Sequence, residues 1–201
     1  MFKFNNMKIG KRLYLGFGII LLLMCIAGGF ALNGLHTVST LMDQMYNHPL
    51  AVRTAALEAN ANIIAVHRAM KDVVLSKDDQ SLNEAIKMVN SYDEKVQENF
   101  QLIEERFKGD QEMIDNVHRA YLGWKPTRDM TIQYIKDGFL AMAIENTTIK
   151  AEQQVSSVIE KMDELIDFTG ERLEDFNSNL ASTARNAMIT FIVILITAIL
   201  I

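Results

Sequence analysis

The chain has 201 residues, 49% of them apolar, with two prolines, ten glycines and one cysteine. A lone cysteine, Cys25, excludes any intramolecular disulfide, so whatever folds here stands on packing alone. With the four basic residues ahead of Leu13 set aside, sixteen Lys/Arg stand against twenty-five Asp/Glu, an acidic balance that argues against a nucleic-acid partner.

Leu13 to Leu32 is twenty residues without a charge. At about 1.5 Å of rise per residue it reaches roughly 30 Å, the thickness of a bilayer's hydrocarbon core, and reads as a transmembrane helix. Lys3, Lys8, Lys11 and Arg12 precede it, whereas the first basic residue after it is Arg53. The positive-inside bias therefore puts the N-terminus in the cytoplasm and the following segment outside. A cleaved signal peptide is the competing reading, with Gly29 and Ala31 as small residues for a peptidase, but the apolar core is longer than the usual one. A lipoprotein signal fits poorly, because Leu23 and Met24 precede Cys25 where small residues belong.

Apolar residues continue past the membrane at three-and-four spacing through Leu35, Val38, Leu41, Met42 and Met45, predicting that the helix runs on outside. Pro49 disfavours helical geometry at His48 and predicts a kink or brief break. The pattern resumes through Val52, Ala56, Ala59, Ile63, Val66, Met70 and Val73, and Ser76-Lys77-Asp78-Asp79 ends the first helix. Ser81 with Glu84 has the spacing of a capping box, and a second helix follows with a seven-residue repeat at Leu82, Val89, Val96 and Ile103. Lys108-Gly109-Asp110 is a turn. The third helix carries Met113, Val117, Tyr121, Trp124 and Thr131 on its inner face, interrupted mildly by Pro126, and ends at Lys136-Asp137-Gly138. A last helix, predicted over Leu140 to Asn186 with Gly170 as a tolerated weak point, repeats through Val155, Ile159, Met162, Ile166 and Thr169. It leads into a second apolar run, Ala187 to Ile201, of about 22 Å.

These elements predict an all-α fold: an antiparallel up-down-up-down four-helix bundle whose first and fourth helices continue into two transmembrane helices. The implied division is a cytoplasmic N-terminus over 1–12, a first transmembrane helix over 13–35, an extracytoplasmic bundle over 36–186 and a second transmembrane helix over 187–201. The inner helices are shorter than the outer pair, which leaves a poorly buried two-helix stalk near the bilayer and predicts a homodimer. No phosphate-cradling glycine loop is present, and His36, His48, His67 and His118 include no pair three or four residues apart, so neither an enzyme nor a metal or other cofactor site is expected.

Met7-Lys8-Ile9-Gly10-Lys11-Arg12-Leu13 with Gly16-Phe17-Gly18, Tyr46-Asn47-His48-Pro49-Leu50, Val66-His67-Arg68-Ala69-Met70-Lys71-Asp72-Val73 and Trp124-Lys125-Pro126-Thr127-Arg128-Asp129 together resemble the four-helix-bundle sensory region of bacterial methyl-accepting chemotaxis receptors and related membrane signalling proteins. The resemblance covers essentially the full chain. It implies a sensor in the bacterial inner membrane, with its main domain periplasmic or extracellular, that binds a small solute and passes a helix displacement across the membrane. In that family the second membrane helix leads into a HAMP linker and an output module, so the stop at Ile201 reads as a fragment of a longer receptor or a truncated gene. A histidine kinase or diguanylate cyclase sensor, a membrane-anchored helical scaffold for another protein, and sensing through a periplasmic binding protein are the alternatives.

In related receptors, arginines of the first helix hold ligand carboxylates at the dimer interface, a task suited to a permanently charged bidentate donor. That assigns Arg53, His67, Arg68 and Lys71 of the first helix and Arg128 of the third to a ligand site for a carboxylate or amino acid. Counting along the helices puts Trp124, Lys150, Glu152 and Gln153 at a similar level, with Trp124 read as core.

Overall fold

A computed structural model describes residues 8–200; Lys3, Met7 and Ile201, which enter the flank, motif and chain-end readings above, lie outside them. Helices run in the order α1 (Ile9–Met45), α2 (Ala51–Leu75), α3 (Asp79–Arg106), α4 (Gln111–Lys136), α5 (Leu140–Glu145) and α6 (Glu152–Leu200). Single π-helical segments, Tyr46–Leu50 and Asn146–Ala151, join α1 to α2 and α5 to α6 without leaving helical geometry. Among the described residues there is no strand, and the fold is the predicted all-α four-helix bundle.

The chain divides into two compact units. One, Met45–Leu173, is the bundle. Its first helix buries Val52, Ala56, Ala59, Ile63, Val66 and Val73, a three-four alternation that keeps one stripe on the core. The alanines in that stripe let α3 approach closely, through Leu82, Ala85, Val89, Val96, Phe100 and Ile103. Helix α4 supplies Ile114, Val117, Tyr121, Trp124, Arg128 and Thr131 at the same spacing. Val155, Val158, Met162 and Leu165 of α6 complete the core.

The turns show why each helix stops. Asp78, not Ser81, caps α3: its carboxylate accepts from the Ser81 backbone N–H at 2.8 Å, while the Ser81 hydroxyl oxygen accepts from the Asp78 N–H at 3.2 Å. The predicted Ser81–Glu84 box is corrected accordingly, because the Asp78–Ser81 pair satisfies the first donors three residues earlier. Glu84 instead accepts from Gln80 Nε2 at 3.0 Å. Helix α4 ends in a Schellman arrangement, with Phe139 N–H on Tyr134 O at 2.8 Å and Gly138 N–H on Ile135 O at 3.1 Å. Gly138 has φ +80°, a conformation open chiefly to glycine.

Where Pro49 predicts a kink or brief break, the α-helical pattern is interrupted but the chain stays helical. The wider π turn absorbs the ring and its missing N–H. Within that turn His48 Nδ1 lies 3.2 Å from the carbonyl of Arg106, near the end of α3, where the carbonyl can accept an imidazole proton.

The second unit comprises residues up to Gln44 and from Glu174 onward. Gly34 lets the two helices approach, since a Cβ there would stand 3.1 Å from the Ala187 Cβ. Outside this seam the large apolar side chains are exposed, among them Leu13, Phe17, Leu21, Phe30, Met188 and Val193. Two helices are long and apolar enough to cross a membrane, their most apolar stretches unburied.

Candidate functional site

The structure sorts the five cations singled out above into different roles. Arg53 lies across α6 and donates through Nη1 to the Ile166 carbonyl. Gly170 makes room for it, because a Cβ at that position would run into the guanidinium. Position 170 is therefore a place where one side chain is admitted, more than a tolerated weak point. Arg128 is buried and donates to Asp93 Oδ1 at 2.7 Å. Its guanidinium carbon also stands 4.9 Å from the Trp124 ring centroid and 5.1 Å from that of Tyr121.

Asp93 is the residue that sequence reading missed. It lies four residues after Val89 and three before Val96, on the flank of the apolar seam of α3. A carboxylate at such a register signals a buried cation opposite. Tyr121 donates its hydroxyl proton to the same Asp93 oxygen. Burial pushes the Tyr121 pKa up, opposed in part by the Arg128 charge. Both Arg53 and Arg128 are thus engaged with the protein's own acceptors.

His67 and Lys71, one turn apart on α2, converge on Glu152, the first residue of α6. His67 Nε2 lies 3.5 Å from Glu152 Oε2, at ion-pair distance without the alignment of a hydrogen bond. Lys71 Nζ lies 3.7 Å from the same oxygen. The His67 ring meets the Trp124 ring edge-on at 6.0 Å, so Trp124 is neighbour to both the imidazole and the Arg128 guanidinium. Trp124 Nε1 and Arg128 Nε find no hydrogen-bond acceptor among the described residues.

The π turn contributes Asn146 and Thr147, both buried. Asn146 Nδ2 donates to the Thr127 carbonyl and to Thr131 Oγ1, each at 2.9 Å. A polar layer thus runs through the core from α2 to α4 to the π turn. Nothing in apolar periodicity marked Asn146 and Thr147 as buried, because the extra residue of a π turn shifts the inward face. Arg68 is exposed and makes no ion pair among the described residues. Lys150 and Gln153 are also exposed.

Burial holds the His67 pKa below its ordinary value, reinforced by Lys71 and opposed by Glu152 and the Thr147 backbone. The folded state therefore takes up a proton less readily than the unfolded chain, and stability falls as pH drops through about 6.5. Between pH 7.5 and 5.5 the melting temperature of the wild type is expected to fall further than that of His67→Gln. Parallel curves for the two proteins would exclude His67 as the source.

A family model described as a four helix bundle sensory module for signal transduction matches residues 6–184. No curated protein and no solved structure matches the chain.

Proposed function

Because the chain belongs to the family of four-helix-bundle sensory modules for signal transduction, we propose that it is the sensor of a transmembrane receptor of the chemotaxis type, placed in a bacterial inner membrane with its bundle outside. A small solute binds the bundle and favours one of two helix arrangements. The observation that carries this reading is α6: an uninterrupted helix that starts at Glu152, beside His67 and Lys71, and ends at Leu200, within the apolar run. A continuous helix of that kind is the element along which a slide of about 1 to 2 Å would pass. The ligand can shift the equilibrium only by its difference in affinity for the two states.

A homodimer is part of the proposal, supported by a stripe on α2. Leu57 and Ile64, seven residues apart, are exposed there with Ala61 between them and Arg68 following. Two copies of this stripe would bury each other's leucine and isoleucine and bring two Arg68 side chains to one seam. Signalling without catalysis by this segment, in line with a sensory family, completes the reading.

The test is a thermal-shift panel of organic acids, amino acids and amines on the full chain in lipid nanodiscs. A solute that binds only the folded state raises the melting temperature with concentration, and at least one class is expected to do so. Silence across the whole panel overturns direct solute sensing.

A further inference from the structure

A groove of about 560 Å³ lies where the end of α2 passes α5 and the π turn, a size within the range of small-ligand sites. Lys71 and Lys77 stand on it, and no Asp or Glu is among its lining residues. Its remaining walls are mainly apolar. Leu75 is 72% exposed, Leu140 52% and Ile144 44%, so three large apolar side chains line a concavity that the fold itself leaves open.

The hydrogen-bonding state of the groove fixes the sign of its ligand. The Thr148 hydroxyl proton is given to the Ile144 carbonyl at 2.8 Å, and that of Ser76 to the Val73 carbonyl at 2.7 Å. Neither is free to donate, and the buried Thr147 hydroxyl faces Thr131 Oγ1 at 3.5 Å, which leaves the two ammonium groups as the groove's strong donors. Lys77 has no ion pair among the described residues, and the neighbouring Asp78 carboxylate is engaged with Ser81. Lys71 has only the long, half-exposed contact to Glu152. A cationic ligand would meet two like charges, and a zwitterion would bring its ammonium beside them.

Building on the sensor reading above, we propose that this groove binds a small monocarboxylate with an aliphatic or aromatic body, its carboxylate between Lys71 and Lys77 and its body on Leu75, Leu140 and Ile144. Binding draws Lys71 away from Glu152, the residue with which α6 begins. The ligand thereby touches the end of α2 and the π turn that leads into α6 at once, giving it unequal contacts in two helix arrangements.

The experiment uses phenylacetate, its neutral analogue phenylacetamide and its cationic analogue phenethylamine on the full chain in nanodiscs, read by calorimetry and thermal shift. Phenylacetate is expected to bind and to raise the melting temperature, and the other two are not. Lys71→Gln with Lys77→Gln should weaken binding by about tenfold or more, the scale of losing charge-assisted hydrogen bonds. Lys87→Gln, on α3 and outside the lining, should leave it unchanged. All three substitutions are at exposed positions, so folding is retained. Equal binding of the amide or amine, unchanged affinity in the double variant, or no phenylacetate binding at millimolar concentration overturns the groove assignment. A hit elsewhere in the wider panel would then keep the sensor reading intact, whereas silence there too would overturn both.

Discussion

Replacing Trp124 with alanine is expected to destabilise the bundle by about 4 kcal/mol, whereas phenylalanine at the same position costs only about 1 kcal/mol. The indole is fully buried among His67, Tyr121 and Arg128, so alanine leaves a cavity that three neighbours cannot close. Phenylalanine keeps most of the ring. It also loses no hydrogen bond, because the indole N–H has no acceptor among the described residues. Truncating a bonded group would strand its acceptor and cost more. Thermal unfolding of the full chain, followed by helical circular dichroism, separates the two variants. Similar losses for phenylalanine and alanine would mean that the N–H, not the ring's bulk, holds this layer.

Asp93→Ala is expected to cost about 3 kcal/mol, the lower end of the range for breaking a buried ion pair from one side, or roughly 10 °C in melting temperature for a unit of this size. The Arg128 side chain is 4% exposed and cannot turn to water when its carboxylate goes. The rings of Tyr121 and Trp124 offset part of that charge, a desolvated cation–π contact contributing about 2 kcal/mol, but they do not replace the carboxylate. Arg128→Met should cost less, about 1 to 2 kcal/mol. It leaves a carboxylate that is 29% exposed, open to water and still receiving the Tyr121 proton. Pairing Arg128→Met with Asp93→Leu should recover stability relative to Asp93→Ala, since neither partner is then stranded. Simple addition of the two single losses would show that the groups are not coupled.

Where one period governs a helix, the sequence already contained its burial. The stripe Val52–Ala56–Ala59–Ile63–Val66 is visible as spacing and appears in the structure as the buried face of α2. Trp124 was legible as core for the same reason. The heights along the bundle also followed from counting, and they bring His67, Trp124 and Glu152 together. What did not follow is which cations are engaged. Arg53 reaches a carbonyl 113 residues away, and Arg128 a carboxylate 35 residues away, and no local pattern encodes such pairings. The two π turns were equally invisible, because periodicity assumes one residue count per turn and they depart from it.

That departure bears on how this chain tolerates changes of length. Each α-helical residue advances the angular position of all that follow by about 100°, so a deletion inside α6 would swing its remainder to another face. The Asn146–Ala151 segment holds one residue beyond the α-helical count in its widened turn. Removing one there would tighten it to an α turn and leave α6 in its original angular phase. The segment at Tyr46–Leu50 gives the first helix the same latitude. Single-residue deletions are therefore absorbed at these two points, both inside the bundle's outer helices, while the helices they connect keep their buried faces.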